Sequence, residues 1–124
     1  MIQAHSLVKI ESMPPDEMRY ETDGDWFYTK DGELVIQVSD NMPAREKMLV
    51  AIHELVEAFL CTERGITQDA VDKFDMSYHG AGEPGDSADA PYRKEHRFAA
   101  LIDHMIAHEL GMQDYGRVDW ELRE

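Results

Sequence analysis

The chain has 124 residues, 43% of them apolar, and carries 26 Asp and Glu against 12 Lys and Arg, a formal charge of −14. That length suits one domain of roughly 100–150 residues with a single modest core, and the apolar fraction sets the chain apart from disordered sequences. The acidity argues against direct binding to a nucleic-acid backbone, which needs clustered Lys and Arg, and against docking on anionic membranes. Cationic partners, metal ions included, stay open. Cys61 is the one cysteine, so neither an internal disulfide nor a thiolate zinc site can form within one chain. Apolar runs such as 48–52 fall far short of the ~20 residues that span a bilayer, and the N-terminal stretch lacks a basic-then-apolar leader pattern. A cytoplasmic protein is the expectation, with its oligomeric state left open.

The first 40 residues read as strands. Residues 6–10 are short and β-prone, and residues 25–29 and 33–38 flank Lys30-Asp31-Gly32. Asp-Gly between β-branched and aromatic runs signals a hairpin, here expected with a type I′ turn. A three-stranded antiparallel sheet follows. Ser39, Asp40 and Asn41 offer helix N-caps, with Pro43 in the first turn. From there to Arg64 the pattern is helical, with Met48, Ile52, Leu55 and Phe59 joined by Leu49, Val56 and Leu60 in one wide apolar face expected to pack on the sheet. Gly65 suits the helix end, and a short second helix is expected over 67–75, capped by Thr67. Residues 79–91 carry Gly or Pro at 80, 82, 84 and 85 and read as a loop. A further main helix runs from about 91 to 110 and stops at Gly111. The order, strands first and helices after, gives an α+β fold in which a small N-terminal sheet packs against two main helices.

The first main helix carries His53-Glu54-Leu55-Val56-Glu57. Positions four apart lie one turn apart, about 40° around the wheel, so His53 and Glu57 can reach one ion. Glu54 lies about 100° from His53; it cannot easily share that ligand geometry but can hold a metal-bound water. The segment resembles the zincin metallopeptidase active-site helix, His-Glu-x-x-His, with Glu57 in place of the second His. The resemblance covers this motif and its helix, and it implies zinc, a general-base role for Glu54, and peptide-bond hydrolysis.

The third ligand must come from elsewhere. His96 stands on the later helix among Ala99, Ala100, Asp103, Ile106 and Ala107, and small residues there let another helix approach closely. His53, Glu57 and His96 then make a two-His, one-carboxylate set with an open position, a set that also suits iron or another divalent transition metal. Asp103, two turns beyond His96, is too far to bind the same ion but can hydrogen-bond the free nitrogen of His53 and fix its tautomer. His79 and Asp75 are the alternatives for completing the site. Asp72 and Asp75 otherwise read as solvent-facing acids, His104 and His108 as an exposed pair, and Cys61 as a small packing residue rather than a nucleophile. Trp26 and Trp120 read as core or rim aromatics, and His5 has no context.

Three functions compete. The first is a zinc-dependent, zincin-like hydrolase acting on a peptide or protein. The second keeps the ion but makes it a tie between helices in a non-catalytic interaction module. The third is metal-free: an acidic protein that binds a basic partner or mimics nucleic acid. It ranks last because the acids are spread along the chain and mixed with Lys and Arg.

Overall fold

The computed structural model describes residues 4–115. Three strands, β1 (Val8–Met13), β2 (Gly24–Tyr28) and β3 (Leu34–Ser39), precede three α-helices, α1 (Ala44–Glu63), α2 (Gln68–Ser77) and α3 (Arg93–Glu109), with short 3-10 turns at Pro15–Glu17 and Pro84–Asp86. The fold is α+β, as its element order implies. Trp120 and most of the C-terminal tail lie outside the described residues.

The sheet order is β1-β3-β2. β2 and β3 form the expected antiparallel hairpin, with Trp26 opposite Ile36. Its turn differs from type I′. Gly32 N–H donates to the Thr29 carbonyl at 2.9 Å, and Gly32 alone in the loop has positive φ, +84°. This is the three-residue loop closed by a left-handed glycine. β1 corrects the all-antiparallel expectation, because it pairs parallel to β3, Val8 opposite Leu34 through Met13 opposite Ser39. The reason lies in β3, which is buried at all six positions. A strand without polar alternation takes the covered centre of a sheet, and β1, half exposed along its length, is left the outer edge beyond it.

The core joins Trp26, Ile36 and Val38 of the sheet to Ala51, Ala58 and Cys61 of α1, with Val71, Ala90 and Tyr92 at its margin. Leu55 packs against it as expected, but Met48 and Phe59 are 64% and 61% exposed. The buried arc of α1 runs instead through Leu49, His53, Glu57 and Cys61 to Ala58 and Ala51. Two layers compete for this helix: the sheet takes its alanines, and α3 takes the stripe containing His53 and Glu57. α3 can approach because its facing residues are Ala99, Ala100, Asp103 and Ala107.

Local signals set the helix ends. Pro43 itself stands at the start of α1 and no side chain caps it; Ser39 Oγ instead bonds Asn41 Oδ1 at 2.7 Å. Thr67 Oγ1 accepts from Ala70 N–H and caps α2. α1 and α3 end on left-handed glycines, Gly65 and Gly111, which let Ile66 and Met112 N–H return to Cys61 and Ala107 carbonyls at 2.9 Å. Among the described residues no helix is long and apolar enough to cross a membrane.

Candidate metal centre

His53 and Glu57 project from consecutive turns of α1 toward His96 in the first turn of α3. His53 Nε2 lies 3.2 Å from Glu57 Oε2 and 3.2 Å from His96 Nδ1, and His96 Nδ1 lies 3.0 Å from Glu57 Oε2. All three residues are buried. Bonds of 2.0–2.1 Å at the tetrahedral angle imply ligand–ligand edges of about 3.3 Å, so this triangle of two nitrogens and an oxygen has the dimensions of one face of a zinc-like site. The donor set fits the ion proposed from the motif.

Each donor is held by a further group. His53 Nδ1 meets Asp103 Oδ2 at 2.9 Å, the contact expected from the two-turn spacing on α3. Trp26 Nε1 donates to Glu57 Oε1 at 3.1 Å, leaving Oε2 for the centre; the buried core aromatic thereby acquires a polar task that its sequence position did not signal. The His96 ring rests on Gly85, where a Cβ would stand 2.4 Å from its Cγ. Glu54 lines the same cleft, its Oε2 3.9 Å from His53 Nε2. Gly24 makes room for it, since a Cβ there would come within 2.9 Å of Glu54 Cγ.

The surroundings are anionic. A cleft of about 850 Å³ opens over the triangle, and no Lys or Arg is among its described lining residues. Burial works against charge on His53, but its hydrogen bonds to Asp103 and Glu57 prevail and push it up to about 10. Burial likewise opposes charge on His96, and Asp86, Glu57 and Glu83 overcome it. Glu57 is held low despite burial because both rings donate to it. Glu54 moves the other way: desolvation, then the charge of Glu57, lifts it well above the ordinary carboxylate range. Without an ion the rings balance these acids by carrying protons; a cation is the alternative counter-charge.

The other candidates fall into place around this centre. His79 is exposed and belongs to no potential ligand group among the described residues. The loop contributes Glu83 and Asp86 instead, whose Oε2 and Oδ1 lie 3.1 and 3.5 Å from His96 Nε2. In the sequence Pro84 and Gly85 stand out in this loop and the acids either side of them do not, although Glu-x-x-Asp is the available signal. Asp75 is not solvent-facing: it accepts from the hydroxyls of Tyr20, at 2.9 Å, and Tyr92, which spends its oxygens away from the triangle. Asp72 pairs with Arg19 at 2.9 Å, and Arg19 also grips Asp25 through two bonds of 2.7 and 2.9 Å. His104 corrects the expected exposed pair, because its Nδ1 lies 2.6 Å from Asp103 Oδ1 and it lines the cleft; His108 is exposed as expected. Cys61 is fully buried, and desolvation pushes its thiol up to about 12, which fits packing and not nucleophilic attack. His5 is exposed.

Comparison of the chain with protein-family models, with characterised proteins and with solved structures returns no match.

Proposed function

We propose that the chain is a small metal-dependent hydrolase of zincin-like chemistry that cleaves peptide bonds, holding zinc or a similar divalent transition metal through His53, Glu57 and His96. The observation that carries this reading is the 3.0–3.2 Å triangle of their donor atoms with Glu54 beside it on an open cleft. When bound, such an ion supplies Lewis acidity and a water reactive near neutral pH. Glu54 would take the proton of the attacking water on a carboxylate oxygen and return it to the leaving amine nitrogen. Asp103 orients His53 by accepting from its Nδ1–H, so that Nε2 is left as the donor. The acidic cleft favours neutral or cationic peptides over phosphorylated ones. A cytoplasmic setting accords with a single, buried cysteine.

A second reading keeps the ion as a tie without chemistry. The donors come from α1 and α3, so one ion would fasten the two helices together. Metal analysis of protein purified without chelator or His tag, followed by assay on a peptide library, tests both. Bound zinc with hydrolysis supports the enzyme, bound zinc without hydrolysis supports the tie, and protein that takes up no transition metal overturns both.

A further inference from the structure

His96 offers two nitrogens, and the triangle uses only one. Its Nε2 faces the opposite side of the ring, in a side chain only 6% exposed. Glu83 Oε2 lies 3.1 Å away and Asp86 Oδ1 3.5 Å away, ion-pair distances, yet Nε2 meets neither with hydrogen-bond alignment. At 3.1 Å the distance suits a hydrogen bond, so it is the direction that fails. Oxygens close to a ring nitrogen but off its axis stand where co-ligands of an ion on that axis would stand.

The backbone is shaped to hold them there. The Pro84–Asp86 turn carries Gly85 under the ring, and a Cβ at that position would lie within 2.4–2.8 Å of three ring atoms. The glycine lets the chain pass beneath His96 with one acid on either side. The charge balance points the same way. Glu54, Glu57, Glu83 and Asp103 line the cleft with His53, His96 and His104, and no Lys or Arg is among its described lining residues.

We propose that Glu83, Asp86 and His96 Nε2 form a second divalent-cation subsite, with His96 shared as a bridge between it and the ion on His53, Glu57 and His96 Nδ1. This rests on the reading above of the first site. Filling the second subsite displaces the Nε2 proton of His96 to solvent and leaves an imidazolate between two ions; no electron moves. Two ions across an imidazole stand farther apart than the ~3.5–4 Å of a two-metal hydrolytic clamp, so the second does not share the attacking water. Its task is to fasten the loop to α3 and fix the His96 ring. Glu83 is 47% exposed at its side chain, which makes this the outer ion and the first to leave under a chelator.

Native mass spectrometry of the full chain titrated with zinc tests the proposal. Two zinc ions on the wild type, falling to one in the Glu83→Gln/Asp86→Asn double variant, is the expected result. A single ion that the double variant retains overturns the second subsite and leaves the first standing. A single ion that the double variant loses overturns the bridge and the first ligand set together, as does a chain that binds none. Two ions that persist in the double variant overturn the assignment to Glu83 and Asp86. Because the double variant could lose its loop structure, the wild type loaded with two Cu(II) gives a reading without mutation. Electron paramagnetic resonance should show coupled spins across the shared ring, and two independent Cu(II) signals overturn the bridge.

Discussion

His53 Nδ1 and Asp103 Oδ2 meet at 2.9 Å across the α1–α3 interface, both side chains buried. The carboxylate fixes which ring nitrogen keeps its proton, and thereby aims the other at Glu57 and His96. Asp103→Asn should keep the fold and the ligand set but lower zinc affinity by about 10–100-fold, the usual effect of removing a carboxylate behind a ligating imidazole. Competition with a chromophoric chelator measures it; unchanged affinity would show that the bond does not orient His53.

Glu54 stands beside the triangle without closing it. Glu54→Gln preserves shape and removes the basic oxygen. The variant should bind zinc as the wild type does and lose any peptidase activity by ~10²–10⁴-fold. If zinc is lost instead, Glu54 is a ligand and the proposed roles are wrong.

The His96 ring and Gly85 leave no room between them. Gly85→Ala must push either the ring or the loop, and overpacking of this kind costs about 1–3 kcal/mol. The melting temperature should fall and zinc affinity with it, whereas Gly82→Ala, at a position open to solvent but with φ +77°, should strain the loop backbone and leave the ring in place. Equal zinc affinity in the Gly85 variant and the wild type would refute the close contact.

His53 titrates higher when folded, about 10 against 6.5. A raised basic group contributes stability in full below its unfolded value and loses it as pH climbs through the folded one. Chelator-treated protein should therefore lose melting temperature as pH rises from about 6.5 toward 10. Zinc must displace the same proton, so its affinity rises with pH. The gap in melting temperature between zinc-loaded and chelated protein should widen over that range. A gap that stays constant would mean that His53 gives up no proton to the ion.

The α+β order and the hairpin at Asp31-Gly32 were legible because each rests on local pattern, and Asp103 could be singled out because it lies two turns from His96 on one helix, although its contact with His53 crosses between helices. The buried face of α1 was not. Periodicity counts apolar side chains, and Met48, Ile52 and Phe59 outvote a stripe that includes His53 and Glu57. That stripe goes inside because α3 presents alanines, Asp103 and His96 to it, a fact of packing between distant segments. β1's parallel pairing with β3 is non-local in the same way. So are Glu83 and Asp86, which stand 13 and 10 residues before His96 in a segment whose turns are visible but whose path beneath the ring is not.

His53 and His96 are 43 residues apart along the chain, and everything between their side chains, α2 and the acidic loop included, is the strand of a ring that an ion on both would close. A permanent link around a loop of that length restricts the unfolded chain by about 4 kcal/mol in the entropy account, comparable to much of a small domain's net stability. Here the link would be reversible. An ion that binds the folded site and not the unfolded chain adds stability as RT ln(1 + [L]/Kd), so the folded fraction of a newly made chain would rise and fall with the zinc level around it.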